Sequence, residues 1–490
     1  MDDFGRFLEK AKTANVIPVV ETLPADLLTP LAVYLKLSSD SENSFLLESV
    51  EGGETLARYS FIGANPIFIA TGNDERVIVG DKSDSHIIDT SMIAFLRDHF
   101  AKYKVHEDGE LPSFIGGAIG VMNFGCSSWF EPSLKNKNAR DDEATFLFFR
   151  SVIAFDHVKQ LIQITTLVFT EECKDADELA ARFNSANEQN CKTREMLERG
   201  EVKLPAQDSK VASTSTISNW KKDEFEDAVR EVIELINAGD AYQVVISQCF
   251  SKPTSASPVA IYRAIRSLNP SPYTFLVRIG EKSVIGASPE MLVRLRGRDL
   301  EYRPIAGTRP RGKTSKEDEH LAEEMRADRK EVAEHLMLVD LGRNDLGRVA
   351  EYGSVKVDNL MAVEKYSHVQ HLVSYLSARL RDGLDRFDAL ASCFPAGTVS
   401  GAPKVRAIEL IKELEPTPRG VYAGAVGYFD YAGNMDTCIA IRTLVLENGV
   451  AKIQAGAGIV ADSIPTNEYQ ETVNKARAMI KAVEIAEDEI

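Results

Sequence analysis

The chain has 490 residues, 44% hydrophobic and 27% charged, with 57 Lys and Arg against 74 Asp and Glu, for a formal net charge of −17. That composition suits a globular protein with a sizeable core, and at ~150 residues per domain the length corresponds to about three domains. The acidic balance excludes a general nucleic-acid or anionic-membrane binder, and no apolar run reaches the ~18 residues of a membrane span. The start, MDDFGRFLEKAK, lacks the basic and apolar regions of a targeting peptide. Cys126, Cys173, Cys191, Cys249, Cys393 and Cys438 show no CxxC spacing and read as free thiols of a cytoplasmic protein.

From the N-terminus, short apolar runs at 44–47, 60–70, 145–155 and 161–169 predict strands, broken by turns at Gly52-Gly53 and Gly116-Gly117. Helical patterns run over 177–185 and 195–197. Residues 202–218, VKLPAQDSKVASTSTIS, have no periodicity and read as a linker. The chain thus divides into an N-terminal region 1–200, a linker 201–219 and a region 220–490. Phe225, Val229, Val232, Ile233 and Ile236 then line one stripe of a helix over 223–238. Strands are predicted at 241–250, 274–279 and 282–287, followed by a long helix over 315–339. Further strands are expected at 423–429, 436–446 and 451–455, with a last helix over 467–486 after Pro465. Irregularly ordered strands and helices without a 20–50-residue repeat predict an α+β fold with more than one sheet.

Glu331 and Glu334 lie three apart in one predicted helix, and Glu468 and Glu471 three apart in another, so each pair shares a helical face. If the two faces meet, they supply the hard oxygen ligands that Mg²⁺ takes. If not, all four are solvated acids, with Glu471 paired to Lys475 at i,i+4. Ala455-Gly456-Ala457-Gly458 either offers backbone N–H groups to an oxyanion or makes a tight turn. Arg442, inside an apolar run, calls for an anionic partner, internal or bound. His371, in SHVQHLVSYL, is a core histidine or a catalytic one. Asp340, Arg343, Asn344 and Asp345 in VDLGRND read equally as a helix-end network. The loop PAGTVSGAPK (395–404) combines hydroxyls, flexible backbone and a cation without the order of a nucleotide P-loop. These residues point to a Mg²⁺ site beside a small anion and leave the reaction open.

Six segments in order say more. They are PIAGTRPRG (304–312), EHLMLVDLGRND (334–345), PAGTVSGAPK, GAVGY (424–428), IQAGAGIV (453–460) and the helix through Glu468, Glu471 and Lys475. The set resembles the chorismate-utilising enzymes, and among them the anthranilate synthase large subunits. FLLESVEGG and RYSFIG extend the resemblance into the N-terminal region. It implies an α+β fold of two facing β-sheets forming a sandwich core with helices packed outside. The N-terminal region would contribute to the same unit and carry regulation.

The resemblance also implies that chorismate binds with Mg²⁺, which Glu334 and Glu471 would hold with Glu331 and Glu468 in its shell. Gly307, Thr308, Gly456, Ala457, Gly458 and Lys475 would meet the substrate, with Arg442 and Tyr428 on its enolpyruvyl carboxylate. Glu290, in SPE, matches the acid that protonates the departing ring hydroxyl, and His371 the histidine of pyruvate elimination. Thr398 would line the catalytic centre.

Two positions select the branch. Relatives making 4-amino-4-deoxychorismate generally carry a nucleophilic Lys in PIKGT, where this chain has Ala306. Relatives making isochorismate or salicylate activate water with a Lys where this chain has Gln243, an amide that is no base at ordinary pH. Ammonia is then the implied nucleophile. No glutaminase motif surrounds a cysteine here, so a separate glutamine amidotransferase subunit in a hetero-oligomer is implied as its source. The implied products are anthranilate and pyruvate, in the first committed step of tryptophan biosynthesis. Aminodeoxyisochorismate synthase, aminodeoxychorismate synthase and a non-catalytic amino-acid-binding protein are the alternatives. Feedback inhibition by L-tryptophan is implied at Leu47, Glu48 and Ser49 with Pro270, Ser271 and Tyr273. Thr274 departs from the Met that relatives often carry there.

Overall fold

A computed structural model describes residues 3–49, 58–80, 84–106, 111–135, 143–204, 215–366 and 369–488. The turn at Gly52-Gly53 and most of the linker at 202–218 lie outside the described residues. Two twelve-stranded sheets form the centre, and each takes strands from both halves of the chain. In the first, Asn43–Glu48 pairs antiparallel with Tyr273–Ile279. In the second, Gly117–Met122 pairs antiparallel with Ala425–Asp430. The two halves therefore share both sheets.

Side chains alternate across a strand, and that period sorts the core into layers. Phe45, Phe275, Val277 and Val284 point inward from the first sheet and meet Ile119, Val121, Val426 and Cys438 of the second, making the layer between the sheets. Their neighbours Leu46, Leu276 and Ile285 point the other way, against the helices Pro30–Leu37, Pro258–Leu268 and Pro465–Asp488. Residues of Met92–Ala101, Lys222–Ala238, Arg386–Cys393 and Lys404–Leu414 belong to the largest cluster. A strand with a covered face on each side reads as a continuous apolar run, which is why these strands show little polar alternation.

Several predicted elements are revised by this arrangement. The runs at 60–70 and 145–155 each divide, as Tyr59–Ala64 with Phe68–Gly72 and as Ala144–Phe149 with Ser151–Asp156, one strand of each pair in either sheet. The run at 436–446 divides likewise into Met435–Ile439 and Thr443–Glu447. Arg442 therefore stands on a bend between sheets, with φ +49°, and not inside a strand. The helix expected over 315–339 is two helices, Ser315–Ala327 and Arg329–Gly347, because Asp328 breaks the first and caps the second by accepting the amides of Lys330 and Glu331. Ala455 to Gly458 make no turn; they lie within the strand Val450–Ile459. All six cysteines are free. Among the described residues no helix is long and apolar enough to cross a membrane.

Candidate active site

Two sheet-changing bends lie side by side. One leads from Lys282–Ser288 to Met291–Arg296 and carries Glu290; the other leads from Met435–Ile439 to Thr443–Glu447 and carries Arg442. The Ala287 amide donates to the Arg442 carbonyl at 3.1 Å. The Ser288 hydroxyl donates to the Ile439 carbonyl at 2.7 Å. Backbone groups that have left a ladder need such partners, and these bonds hold the bends together.

Glu290 is 6% exposed. Burial pushes its carboxyl up to about 8, and the nearby Thr398 hydroxyl draws it back in part. Neither that hydroxyl nor Oε1 of Glu290 completes a hydrogen bond of ordinary length, so Thr398 acts on Glu290 at slightly longer range. A carboxyl in this state is mostly protonated at neutral pH and can donate. The Thr398 loop is anchored at its end by Lys404, whose Nζ donates to Asp345 Oδ2 at 2.9 Å and to the Cys393 carbonyl at 3.4 Å. In VDLGRND, Asp345 is thus a structural partner, while Asp340 and Arg343 pair on the helix surface.

His371 lies on the strand Val369–Arg379, opposite Thr308 of Ile305–Pro310. Its Nδ1 is 2.9 Å from the Gly307 carbonyl and 3.1 Å from the Thr308 hydroxyl. Because a carbonyl only accepts, Nδ1 carries the hydrogen and Nε2 keeps its lone pair. Burial lowers the imidazole pKa, the Gly307 bond raises it, and Arg442 lowers it again. His371 is therefore neutral and within electrostatic reach of Arg442. Gly307 has φ +62°, and a Cβ there would stand 3.4 Å from Glu331 Oε2. That glycine brings the strand close to the helix Arg329–Gly347.

Arg442 opens onto a cleft of about 500 Å³ that it shares with Asn467, Gln470, Glu471, Asn474 and Lys475. Its side chain is accessible from this cleft yet enclosed by protein at longer range, and burial lowers its pKa. Among the described residues no carboxylate pairs with its guanidinium, so the partner expected of it is not an internal acid. Lys475 Nζ donates to the Gly456 carbonyl at 3.0 Å and pairs with Glu471 at 2.7 Å.

The Gly456 carbonyl bond fixes an orientation. Within a strand, N–H and C=O of one residue point the same way and residues two apart agree. Gly456 and Gly458 therefore turn their N–H groups away from the neighbouring strand Gln243–Pro253, and Ala457 turns its own toward it. The glycines also leave room for their neighbours. A Cβ at 456 would meet the Tyr422 hydroxyl at 2.9 Å, and one at 458 would meet Gln243 Nε2 at 2.5 Å.

Of the four predicted acids Glu471 alone lines the cleft, and Glu334 and Glu468 lie within its electrostatic reach. Burial raises the Glu334 pKa, Glu331 and Glu471 raise it further, and Lys330 and Lys475 oppose them. Burial likewise raises Glu468, with Glu471 adding to the effect. Glu331 is engaged by Arg309 at 3.1 Å. Among the described residues no three His, Cys, Asp or Glu side chains gather into a cage. Glu334 carries no ion pair among the described residues and Glu471 is shared with Lys475, and Mg²⁺ takes one or two carboxylates when waters and substrate complete its octahedron.

Tyr428 is not part of this cleft. It lies between the sheets, 5% exposed, with its ring packed on Phe61 and Phe114. The tyrosine beside Arg442 is Tyr422, which the sequence reading missed. Its hydroxyl faces the Gly456 amide, and burial raises its pKa to about 12. The signal available was position: Tyr422 stands two residues before the GAVGY segment, in the turn that feeds the strand.

A larger cavity of about 1050 Å³ lies elsewhere, walled by Leu47, Glu48, Ser49, Pro272, Tyr273 and Tyr428 among others. Pro270 and Ser271 are not on its wall. Glu48 is buried, bonded to the Tyr262 hydroxyl, and 3.2 Å from Arg266 Nε. Burial raises its pKa and Arg266 lowers it. The Ser49 hydroxyl is buried without a partner.

Residues 42–481 match the chorismate binding enzyme family. Anthranilate synthase component 1 of Acetivibrio thermocellus is 42% identical over 482 residues, covering 97% of each chain. That of Aquifex aeolicus is 43% identical over 477 residues, covering 97% of this chain and 96% of the other. The crystal structure of anthranilate synthase component I from Streptococcus pneumoniae TIGR4 superposes with a TM-score of 0.74 at 36% identity, over 94% of this chain and 99% of that one. The isochorismate synthase MenF of Escherichia coli, 20% identical with a TM-score of 0.69, shares the fold over 98% of this chain and 100% of its own. The chain belongs to the chorismate-binding enzymes, in the branch of the anthranilate synthase component 1 proteins.

Proposed function

We propose that the chain converts chorismate and ammonia into anthranilate and pyruvate in a Mg²⁺-dependent reaction, with ammonia supplied by a separate glutamine amidotransferase chain. What carries the reading is a protonated acid, Glu290, on the bend beside Arg442, together with a neutral His371 within electrostatic reach of the same arginine. The residues at the two branch-selecting positions, Ala306 and Gln243, supply no nucleophile or base.

Arg442 and Tyr422, whose hydroxyl the Gly456 amide orients, hold the enolpyruvyl carboxylate, and the N–H of Gly458 meets the ring carboxylate. Glu334 and Glu471 would hold Mg²⁺, which when bound polarises that ring carboxylate. Glu290 gives its proton to the ring hydroxyl, which leaves as water while ammonia adds two carbons away. The product of this half is 2-amino-2-deoxyisochorismate. Nε2 of His371 then takes the proton from the carbon bearing the new amine. The adjacent C–O bond breaks, the ring becomes aromatic and the departing enolpyruvate ketonises to pyruvate. L-Tryptophan, as the feedback inhibitor, occupies the cavity walled by Leu47, Ser49, Tyr273 and Tyr428.

Incubation of the purified chain with chorismate, Mg²⁺ and an ammonium salt at raised pH tests the reading. Anthranilate is expected from its fluorescence, and 4-amino-4-deoxychorismate or isochorismate as the sole product would overturn it.

A further inference from the structure

Behind His371 stands a charged cluster that the steps above do not use. The strand Lys356–Lys365 pairs with Val369–Arg379 so that Glu364 lies opposite His371, on the side away from Thr308. The Glu364 carboxylate accepts from three donors. They are Arg303, the Tyr375 hydroxyl and the Tyr366 hydroxyl, the last at 2.8 Å. Arg303 is 3% exposed, also donates to the Tyr366 hydroxyl at 3.0 Å, and lies over the Tyr375 ring. The Tyr366 ring meets the imidazole of His371 edge-on, with centroids 5.6 Å apart and planes at 65°.

One carboxylate thus does two things. Through the Tyr366 hydroxyl it fixes the ring that packs on His371, and it faces the imidazole with a negative charge that Arg303 keeps ionised. The groups acting on His371 are then complete. Arg442 and Arg303 oppose a positive imidazole, Glu364 favours it, and the Gly307 carbonyl and Thr308 hydroxyl hold Nδ1. Buried imidazolium is unfavourable in a low-dielectric site unless a negative group stands nearby.

We propose that Glu364 is a positioning residue for His371, holding its ring through Tyr366 and stabilising the imidazolium that forms when His371 accepts the substrate proton. This rests on the reading of His371 as the acceptor in pyruvate loss. Glu364 touches no reacting atom, so its removal slows the second half-reaction and leaves substrate binding alone.

The test compares wild type with Glu364→Gln and Tyr366→Phe, using chorismate, Mg²⁺ and ammonium. For Glu364→Gln, kcat for anthranilate should fall about tenfold with KM for chorismate within about twofold, and 2-amino-2-deoxyisochorismate should accumulate. The His371 ring, followed by NMR and assigned by its absence in His371→Asn, should titrate about half a pH unit or more lower than in wild type. Tyr366→Phe keeps the ring and loses the hydroxyl, so it should show a smaller accumulation of the same intermediate. It decides the matter if Glu364→Gln does not fold. Wild-type kcat and titration in the folded variants would overturn the proposal. Failure of wild type to make anthranilate would instead overturn the reading beneath it.

Discussion

The Ile439 amide donates to the Glu290 carbonyl at 3.1 Å, tying together the two bends at which the chain leaves one sheet for the other. A side chain on such a bend belongs to neither ladder, so it is free to present chemistry at the edge between the sheets. Glu290 and Arg442 hold those positions. The pairing explains how an acidic chain holds a cation at this edge: Arg442 stands on a backbone fixed by the neighbouring bend.

Glu290 is held protonated at a cost to the fold. Its folded pKa of about 8 exceeds the ordinary 4.5, so the native state binds the extra proton between those values and wild type loses stability as pH rises through that window. Glu290→Gln should reduce turnover by about 10²–10⁴-fold while raising stability at pH 9 by on the order of 3 kcal/mol. The stability gain should shrink toward zero below pH 4.5, where wild-type Glu290 is protonated in both states. Thermal melts of both proteins across pH check it, and a gain independent of pH would contradict the burial account.

Substitutions at Tyr422 and Tyr428 should separate catalysis from regulation. Tyr422→Phe removes the hydroxyl that faces the Gly456 amide and should lower kcat/KM for chorismate by about tenfold, with tryptophan inhibition intact. Tyr428→Phe should leave kcat/KM within about twofold and weaken inhibition by tryptophan, because Tyr428 walls the larger cavity. Steady-state kinetics with and without tryptophan distinguish them, and the reverse pattern would restore Tyr428 to the active site.

Gly458 makes room for Gln243. In Gly458→Ala the new methyl meets only the mobile end of that side chain, at 2.5 Å, so the fold should survive while the amide is displaced. Turnover should fall about tenfold, with Tm lowered by only a few degrees, about 3 °C, and Gln243→Ala in the same chain should relieve part of the stability loss. Gly456→Ala, which also meets the Ile246 carbonyl at 3.1 Å, should cost more stability. Equal melting temperatures for the two alanine variants would contradict the packing described.

Several candidate residues were legible because they break apolar stretches of sequence: Arg442, His371 and the glycines at 456 and 458. The four acids were legible from helical spacing, and the reach of Glu471 to Glu334 was not, since spacing gives the face of a helix and not what the face meets. The i,i+4 pairing of Glu471 with Lys475 is present as well. The sheet changes were hidden for a different reason. Strands covered on both faces stay apolar through a bend, so 145–155 and 436–446 each read as one strand although each serves both sheets. Tyr428 drew the reading because it sits in the recognisable GAVGY segment; only the strand's facing shows that it points between the sheets.

The most direct measurement supplies chorismate with ¹⁵N-ammonium and Mg²⁺ and follows both products by mass spectrometry, with a parallel reaction in excess chelator. Anthranilate carrying the label and pyruvate should appear in equal amounts, and both should vanish with the chelator. An unlabelled product, a product that keeps its enolpyruvyl group, or full turnover in chelator would contradict the account.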